Sequence, residues 1–225
     1  MRDIPLDMLP GTTHQTNNCG ILTVVKYAGS RAVTVMFEDP KYETTTTTSN
    51  IRRGTVKNRL APSAYGVGFL GVGPHKSKHN GVQTASYSCW LSMLERCYST
   101  QRFDRYPSYI DCSVSVAWHD FQVFADWYTN NYPKDGNNYE LDKDIKSPGN
   151  RIYSPELCMF VTKRENQAER NVRVCSKKGK FLSPEGQVFD VVNIREFCRK
   201  KGLHQSYMSQ IASGKLQQYK GWKAA

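Results

Sequence analysis

Two acidic residues, Asp142 and Asp144, follow a short strand-prone run at 139–141, and an asparagine, Asn166, follows a second apolar run at 158–161. Thr162 and Glu165 have the Thr-x-x-Glu spacing of a capping box, in which each residue satisfies an orphan backbone N–H of the other. A helix should therefore open at Thr162, with Asn166 on its first turn or so and its amide turned back toward the end of the first strand. An Asp at a strand end facing an Asn on a following helix forms a small, hard-oxygen site. Such a pair suits a divalent cation that also holds a phosphate, because magnesium keeps most of its waters and takes only one or two protein oxygens. Strand, long loop, strand and helix over 139–171 form the unit around which the chain is organised.

Two amphipathic segments upstream would hold that unit rigid. Trp90, Met93, Leu94 and Cys97 recur at helical spacing in a helix expected over 86–98. Trp118, Phe121, Phe124, Ala125 and Tyr128 do the same in one expected over 115–130. Both stripes are core. Before them, 65–80 is a Gly-rich connector; its Gly66-Val67-Gly68 has no helix behind it and no βαβ frame, so it is no nucleotide fingerprint. Residues 1–72 read as a small β domain. Runs at 21–27 and 32–37 flank the turn Ala28-Gly29-Ser30-Arg31, with a third strand at 44–48 and a fourth starting at 54–57. The shape of this pattern predicts a five-stranded SH3-like barrel. Arg52, Arg53 and Lys57 lie in a basic stretch that either tracks phosphates or is a solvated face.

The chain has 225 residues and a net charge of +11, which favours an anionic partner. No run nears the ~20 apolar residues of a membrane span, and the first residues contain no apolar signal region, so nucleic acid is expected rather than a membrane. Seven scattered cysteines without a Cys-x-x-Cys pair fit reduced thiols in a cytosol. His75, His79, Cys89 and Cys97 are acceptable zinc ligand types, but the Cys spacing is helical and buried structural cysteine accounts for it better. From 172 onward the chain holds eleven Lys or Arg against three acids, and so carries +8 of the total. There a turn at Ser183-Pro184-Glu185-Gly186 precedes two short helices. The first is capped by Asn193 and stopped by Gly202, and the second runs over 204–213. Two helices joined by a Gly turn in a basic context predict a helix-turn-helix. Lys177, Lys178 and Lys180 would meet phosphates, and His204, Gln205, Ser206, Gln210 and Lys215 would meet base edges or phosphates.

The 139–171 stretch resembles the ββα-metal nucleases of the HNH class, in particular the HNH homing endonucleases and related proteins of bacteriophages. In that family the first strand ends in Asp-His-x-Asp, the second carries an Asn-x-x-Trp-Val-Thr-like run, and the helix supplies a final Asn. Leu141-Asp142-Lys143-Asp144, the run from Tyr153 to Thr162, and Asn166 occupy those places. Upstream, Trp90, Met93, Arg96, Cys97, Tyr98, Tyr109, Val114, Trp118, Phe121 and Phe124 look like the segment that precedes the core in many phage members. The tail pattern, including Phe181-Leu182-Ser183-Pro184, Asn193, Phe197-Cys198, Gly202-Leu203, Ser213-Gly214-Lys215 and Gly221-Trp222, resembles the C-terminal DNA-binding module of phage HNH homing enzymes. Lys143 stands where the general-base histidine would be, and Leu157 where a loop-bracing Asn is expected.

The resemblance implies an α+β protein of three parts: an SH3-like barrel over 1–72, an HNH-like ββα-metal core with flanking helices over 73–172, and a basic linker with a helix-turn-helix over 173–225. It implies binding of double-stranded DNA and metal-dependent nicking or cleavage, in the cytoplasm of a phage-infected bacterium. Asp142 and Asn166 would hold Mg²⁺ or Mn²⁺. Lys143 and Asp144 are the catalytic candidates. Lys143 is suited to clamping a phosphate, because an exposed Lys is protonated at neutral pH, and His119 is a further candidate base. The rival expectation is an inactive HNH scaffold that binds DNA as a repressor, an architectural protein or a phage factor engaging a host machine. A third reading, RNA binding by the N-terminal unit, rests on charge and fold shape.

Overall fold

A computed structural model describes residues 3–104, 106–175 and 177–225, with the side chains of 169 and 172–175 outside the description. Arg173 of the basic tail and Cys175 therefore lie beyond the described side chains. The chain is mixed α and β, its sheets are small and mostly antiparallel, and its buried residues gather in three separate cores.

The first core sits under an antiparallel sheet of β1 (Thr13–Gln15), β2 (Ile21–Tyr27), β3 (Val33–Glu38) and β4 (Lys41–Thr46), in that order. Period-two alternation sends Leu22 and Val24, then Val33, Val35 and Phe37, to the inner face. The turn between β2 and β3 is where the sequence places it, with Gly29 at φ +128°. The expected barrel is not closed: β1 and β4 each have a single neighbour, and the sheet has four strands. The segment at 54–57 is loop rather than strand. The short helix α1 (Thr48–Arg52) takes up the chain after β4, Gly54 turns it at φ +65°, and Thr55 N–H bonds back to Asn50 O. Val56 and Ile51 fill the core from that loop and helix.

A small hairpin of β5 (Lys78–His79) and β6 (Val82–Gln83) leads into α2 (Ala85–Tyr98), capped by Thr84 Oγ1. Trp90, Met93, Leu94 and Cys97 of α2 are buried as their spacing requires. The short helix α3 (Thr100–Phe103) and the strand β7 (Ser113–Val114) follow. The single helix expected over 115–130 is broken into a 3₁₀ turn, Val116–His119, and α4 (Phe121–Asn131). Asp120 makes the break. It adopts extended backbone, pairs with Phe69 of the connector, and caps the new helix through Oδ1 to Gln122 N–H at 2.8 Å. Trp118 still packs on Phe124, so the apolar stripe survives the interruption.

Next come β8 (Tyr139–Asp142), β9 (Ile152–Tyr153), β10 (Met159–Thr162) and α5 (Lys163–Cys175). β8 and β10 pair antiparallel, with Met159 opposite Asp142, and β9 runs parallel to β7. This unit shares one core with α2 and α4, where Phe160 meets Trp127, Tyr128 and Tyr132.

The C-terminal segment folds as β11 (Gly179–Leu182), β12 (Val188–Val191), α6 (Ile194–Lys201), α7 (Gln205–Ala212), β13 (Gln218–Tyr219) and β14 (Trp222–Ala224). Its two helices and Gly turn agree with the sequence, and Gly202 is left-handed at φ +65°. The sheet beneath them, ordered β12-β11-β14-β13, was not read from the sequence beyond its first turn. It supplies Phe181, Val191 and Trp222 to the core that α6 and α7 close with Ile194, Cys198, Met208 and Ile211. Among the described residues no helix is long and apolar enough to cross a membrane.

Candidate functional site

The capping box at the start of α5 forms as its spacing requires. Glu165 Oε2 accepts from the Thr162 N–H and hydroxyl, both at 2.8 Å, and the Glu165 N–H donates to Thr162 Oγ1 at 3.2 Å. The Glu165 carboxyl is held below its usual range, first by the Thr162 backbone N–H and then by its hydroxyl. Asn166 is thereby fixed on the first turn of α5, and it lines one cleft with Asp142, Lys143 and Asp144. The cleft has a volume of about 310 Å³ and lies between α2, β8, α5 and the turn at Pro107–Tyr109.

Inside that cleft the four residues do not make the pair expected. Asp142, 7% exposed, turns Oδ1 onto the N–H groups of Asp144 at 2.9 Å and Ile145 at 2.7 Å, so it shapes the start of its own loop. The Asn166 amide nitrogen donates to Glu140 Oε2 at 2.7 Å. Lys143 is turned inward and is only 6% exposed; its Nζ donates to Asp144 Oδ1 and to Asn150 O, both at 2.7 Å. A lysine whose Nζ donates to two acceptors is a fixed cation in the cleft wall. Leu157 makes no brace, and the loop is held by Asn150 instead. Its amide donates to Lys143 O and Ile152 O, and its Oδ1 accepts from Ile152 N–H. His119 lies apart from the cleft, with Nε2 3.3 Å from the Tyr98 hydroxyl.

Sequence reasoning placed Arg96 only within the upstream resemblance, and did not single out Arg102 or Arg170. Arg96, Arg102 and Arg170 line the same cleft, beside Tyr106, Tyr109 and Tyr153. Burial works against the Arg96 charge, but the Tyr153 and Tyr109 phenols outweigh it and hold its pKa above the usual range. Arg96 also donates to Tyr153 Oη at 3.2 Å, and its guanidinium lies 5.9 Å from the Tyr153 ring centre. The signal in the sequence was a single arginine beside the apolar stripe of α2, between Met93 and Cys97.

A resident Mg²⁺ or Mn²⁺ needs a surplus of anionic oxygen, and this donor set does not fit one. The cleft brings four cationic side chains, Arg96, Arg102, Lys143 and Arg170, to two carboxylates. One carboxylate already accepts an ammonium and the other accepts two backbone N–H groups. Among the described residues no three His, Cys, Asp or Glu side chains are grouped to hold a metal. The zinc alternative fares no better. His75 pairs with Asp126 at 2.7 Å, and burial pushes the thiols of Cys89 up to about 11 and of Cys97 up to about 12.

The second concavity lies on α7. Lys177, His204, Gln205, Ser206, Gln210 and Lys215 line it together with Ser209 and Ser213, around a volume of about 510 Å³. His204 is the N-cap position of α7 but makes no capping hydrogen bond; its ring lies against Tyr207, with centres 5.3 Å apart. Ser209 Oγ is buried and has no hydrogen-bond partner among the described residues. Lys178 and Lys180 are exposed outside this surface, and Lys180 lies 4.0 Å from Asp190 on the neighbouring strand. In the N-terminal unit Arg52 is drawn into a two-point pair with Asp7, at 2.7 and 3.0 Å, while Arg53 and Lys57 beside it are exposed.

No family model and no curated protein matches the chain. Among solved structures, that of DNA binding and cleavage by the HNH homing endonuclease I-HmuI is similar over 40% of this chain and 58% of the other, at 15% identity and a TM-score of 0.22.

Proposed function

We propose that the protein binds double-stranded DNA, with α6 and α7 acting as a helix-turn-helix and α7 as the reading helix. One observation carries this: the residues singled out in the basic tail and on its second helix, Lys177, His204, Gln205, Ser206, Gln210 and Lys215, share a single polar concavity. Amides and hydroxyls at the start of a helix suit base edges in a major groove, and the lysines suit the flanking phosphates. In this reading the chain divides into units of 1–72, 73–172 and 173–225, and the central unit lies along the backbone beside the reading helix. The test is selection from a random duplex library, followed by titration of the selected site at several salt concentrations. A site enriched over random duplex, with affinity lost in Gln205→Ala and Gln210→Ala, supports the reading. Equal affinity for every duplex and for both variants overturns it.

A second reading, nicking of DNA in Mg²⁺ or Mn²⁺, is favoured by one observation: Asp142 and Asn166 line the same cleft. A supercoiled-plasmid assay on the parent and on Asp142→Ala decides it. The cationic balance of the cleft favours the non-cleaving, DNA-binding scaffold over the nuclease.

A further inference from the structure

We infer that the cleft between α2, β8 and α5 is a phosphate-binding site that needs no divalent cation, the inward Lys143 ammonium standing where an ion would otherwise be. The two carboxylates of the cleft are directed into the protein: Asp144 toward Lys143, Asp142 toward the N–H groups of its own loop. The arginines are not matched in the same way. Among the described residues Arg96 has only the Tyr153 hydroxyl as a side-chain partner, and Arg170 has no acidic partner. Arg102 shares Glu95 at 3.2 Å and remains 41% exposed.

A guanidinium presents five N–H donors in a rigid fork that matches the oxygens of a phosphate. A partly buried arginine whose fork is mostly unspent is costly unless an anion accepts from it. The cleft offers that anion room, at about 310 Å³, with Tyr106, Tyr109 and Tyr153 among its lining. Lys143 is held by two acceptors and so contributes fixed positive charge, while Arg96 and Arg170 supply the free donors. The ligand is a phosphate group, either of a nucleic-acid backbone or free in solution. This inference does not depend on α7 reading DNA, because the two surfaces have no residue in common.

The test is titration of the full chain with inorganic phosphate in metal-stripped buffer, following the side-chain Nε–H signals of Arg96 and Arg170 by NMR. Both should shift, and added Mg²⁺ should leave the affinity unchanged. Arg170→Gln, at an exposed position, should weaken phosphate binding about tenfold, the loss expected for one charge-assisted hydrogen bond. Binding that appears only with Mg²⁺ or Mn²⁺, no shift at any phosphate concentration, or an unchanged affinity in Arg170→Gln would each overturn the inference. A short duplex that displaces the phosphate identifies a backbone ligand; phosphate retained beside bound duplex identifies a free one. Lys215→Ala, which weakens DNA reading on α7, should leave the phosphate shifts intact.

Discussion

The central cleft and the α7 surface are both polar hollows bordered by cations, yet they are built by opposite means. The cleft draws its residues from α2, β8, α5 and two loops, and its Lys143 ammonium, its two carboxylates and the Asn166 amide are already bonded within the protein. The α7 surface comes from one short helix and its flanks. Its internal bonds are sparse and long, such as Gln210 Nε2 to Ser206 Oγ at 3.4 Å, and the Ser209 hydroxyl has no partner among the described residues. Charges fixed by partners hold a backbone in one register, whereas unspent amides and hydroxyls discriminate between bases. In the proposed DNA-binding reading, the contrast would give positioning to the first surface and base reading to the second.

The largest effects should come from removing the core under each surface. Trp90 is fully buried and its Nε1 donates to Trp118 O at 2.7 Å; Trp90→Ala should cost about 3–5 kcal/mol. Phe181→Ala should cost a similar ~3–5 kcal/mol beneath α6 and α7. If the surfaces rest on separate cores, hydrogen exchange will show Trp90→Ala exposing amides of α2 and α4 while α7 stays protected, and Phe181→Ala the reverse. Loss of protection in both regions from either variant would make them one cooperative unit and break the comparison.

Next in size is the buried ion pair. Lys143→Met leaves the largely buried Asp144 carboxylate and the Asn150 carbonyl without this donor, a loss of about 3–5 kcal/mol in urea unfolding. Lys215→Ala, at an exposed position, should stay within about 0.5 kcal/mol of the parent. For DNA binding the order reverses. Lys177→Ala and Lys215→Ala should each lower the slope of log affinity against log salt by about 0.9. Unchanged slopes in both would remove these lysines from the backbone contacts.

The same contrast explains what could be read from the sequence. Elements set by local chemistry were legible: the Thr162–Glu165 box, Asn193 and Gly202 at the ends of α6, and the buried stripe of α2. The grouping of the α7 residues was legible too, because helical spacing alone places them. The cleft was legible only in part. Spacing put Asp142 and Asn166 near one another, but it could not show that Glu140 would take the Asn166 amide or that Lys143 would turn inward. The first joins β8 to α5 across 26 residues, and the second depends on loop 143–150, where Asn150 bonds both ends of the Lys143 residue. The barrel expectation failed for a related reason: strand-prone runs fix strands, while closure depends on where α1 and Gly54 send the chain.

The smallest effect separates the two surfaces by pH. The folded Glu165 carboxyl lies below its usual 4.5 because the Thr162 N–H and hydroxyl hold its charged form. A depressed folded pKa gives stability that is present above the unfolded value and lost as pH falls through the folded one. The start of α5, and with it the placement of Asn166, should therefore loosen from about pH 5 downward. Across the molecule α6 is capped by the Asn193 amide, which carries no proton to gain. Glu196 of α6 is also held low, by its hydrogen bond to Lys200, but its protonation loosens a surface pair and leaves the cap in place. Amide exchange followed from neutral pH to about pH 3 should show Thr162 and Glu165 losing protection before Glu196 does. In Glu165→Gln that early loss should vanish, because the carboxamide still accepts the Thr162 N–H but no longer titrates. A parent protein whose Thr162 amide is equally protected across this range would mean that packing, not the carboxylate, fixes the helix start, and the cleft would then be as insensitive to acid as the start of α6.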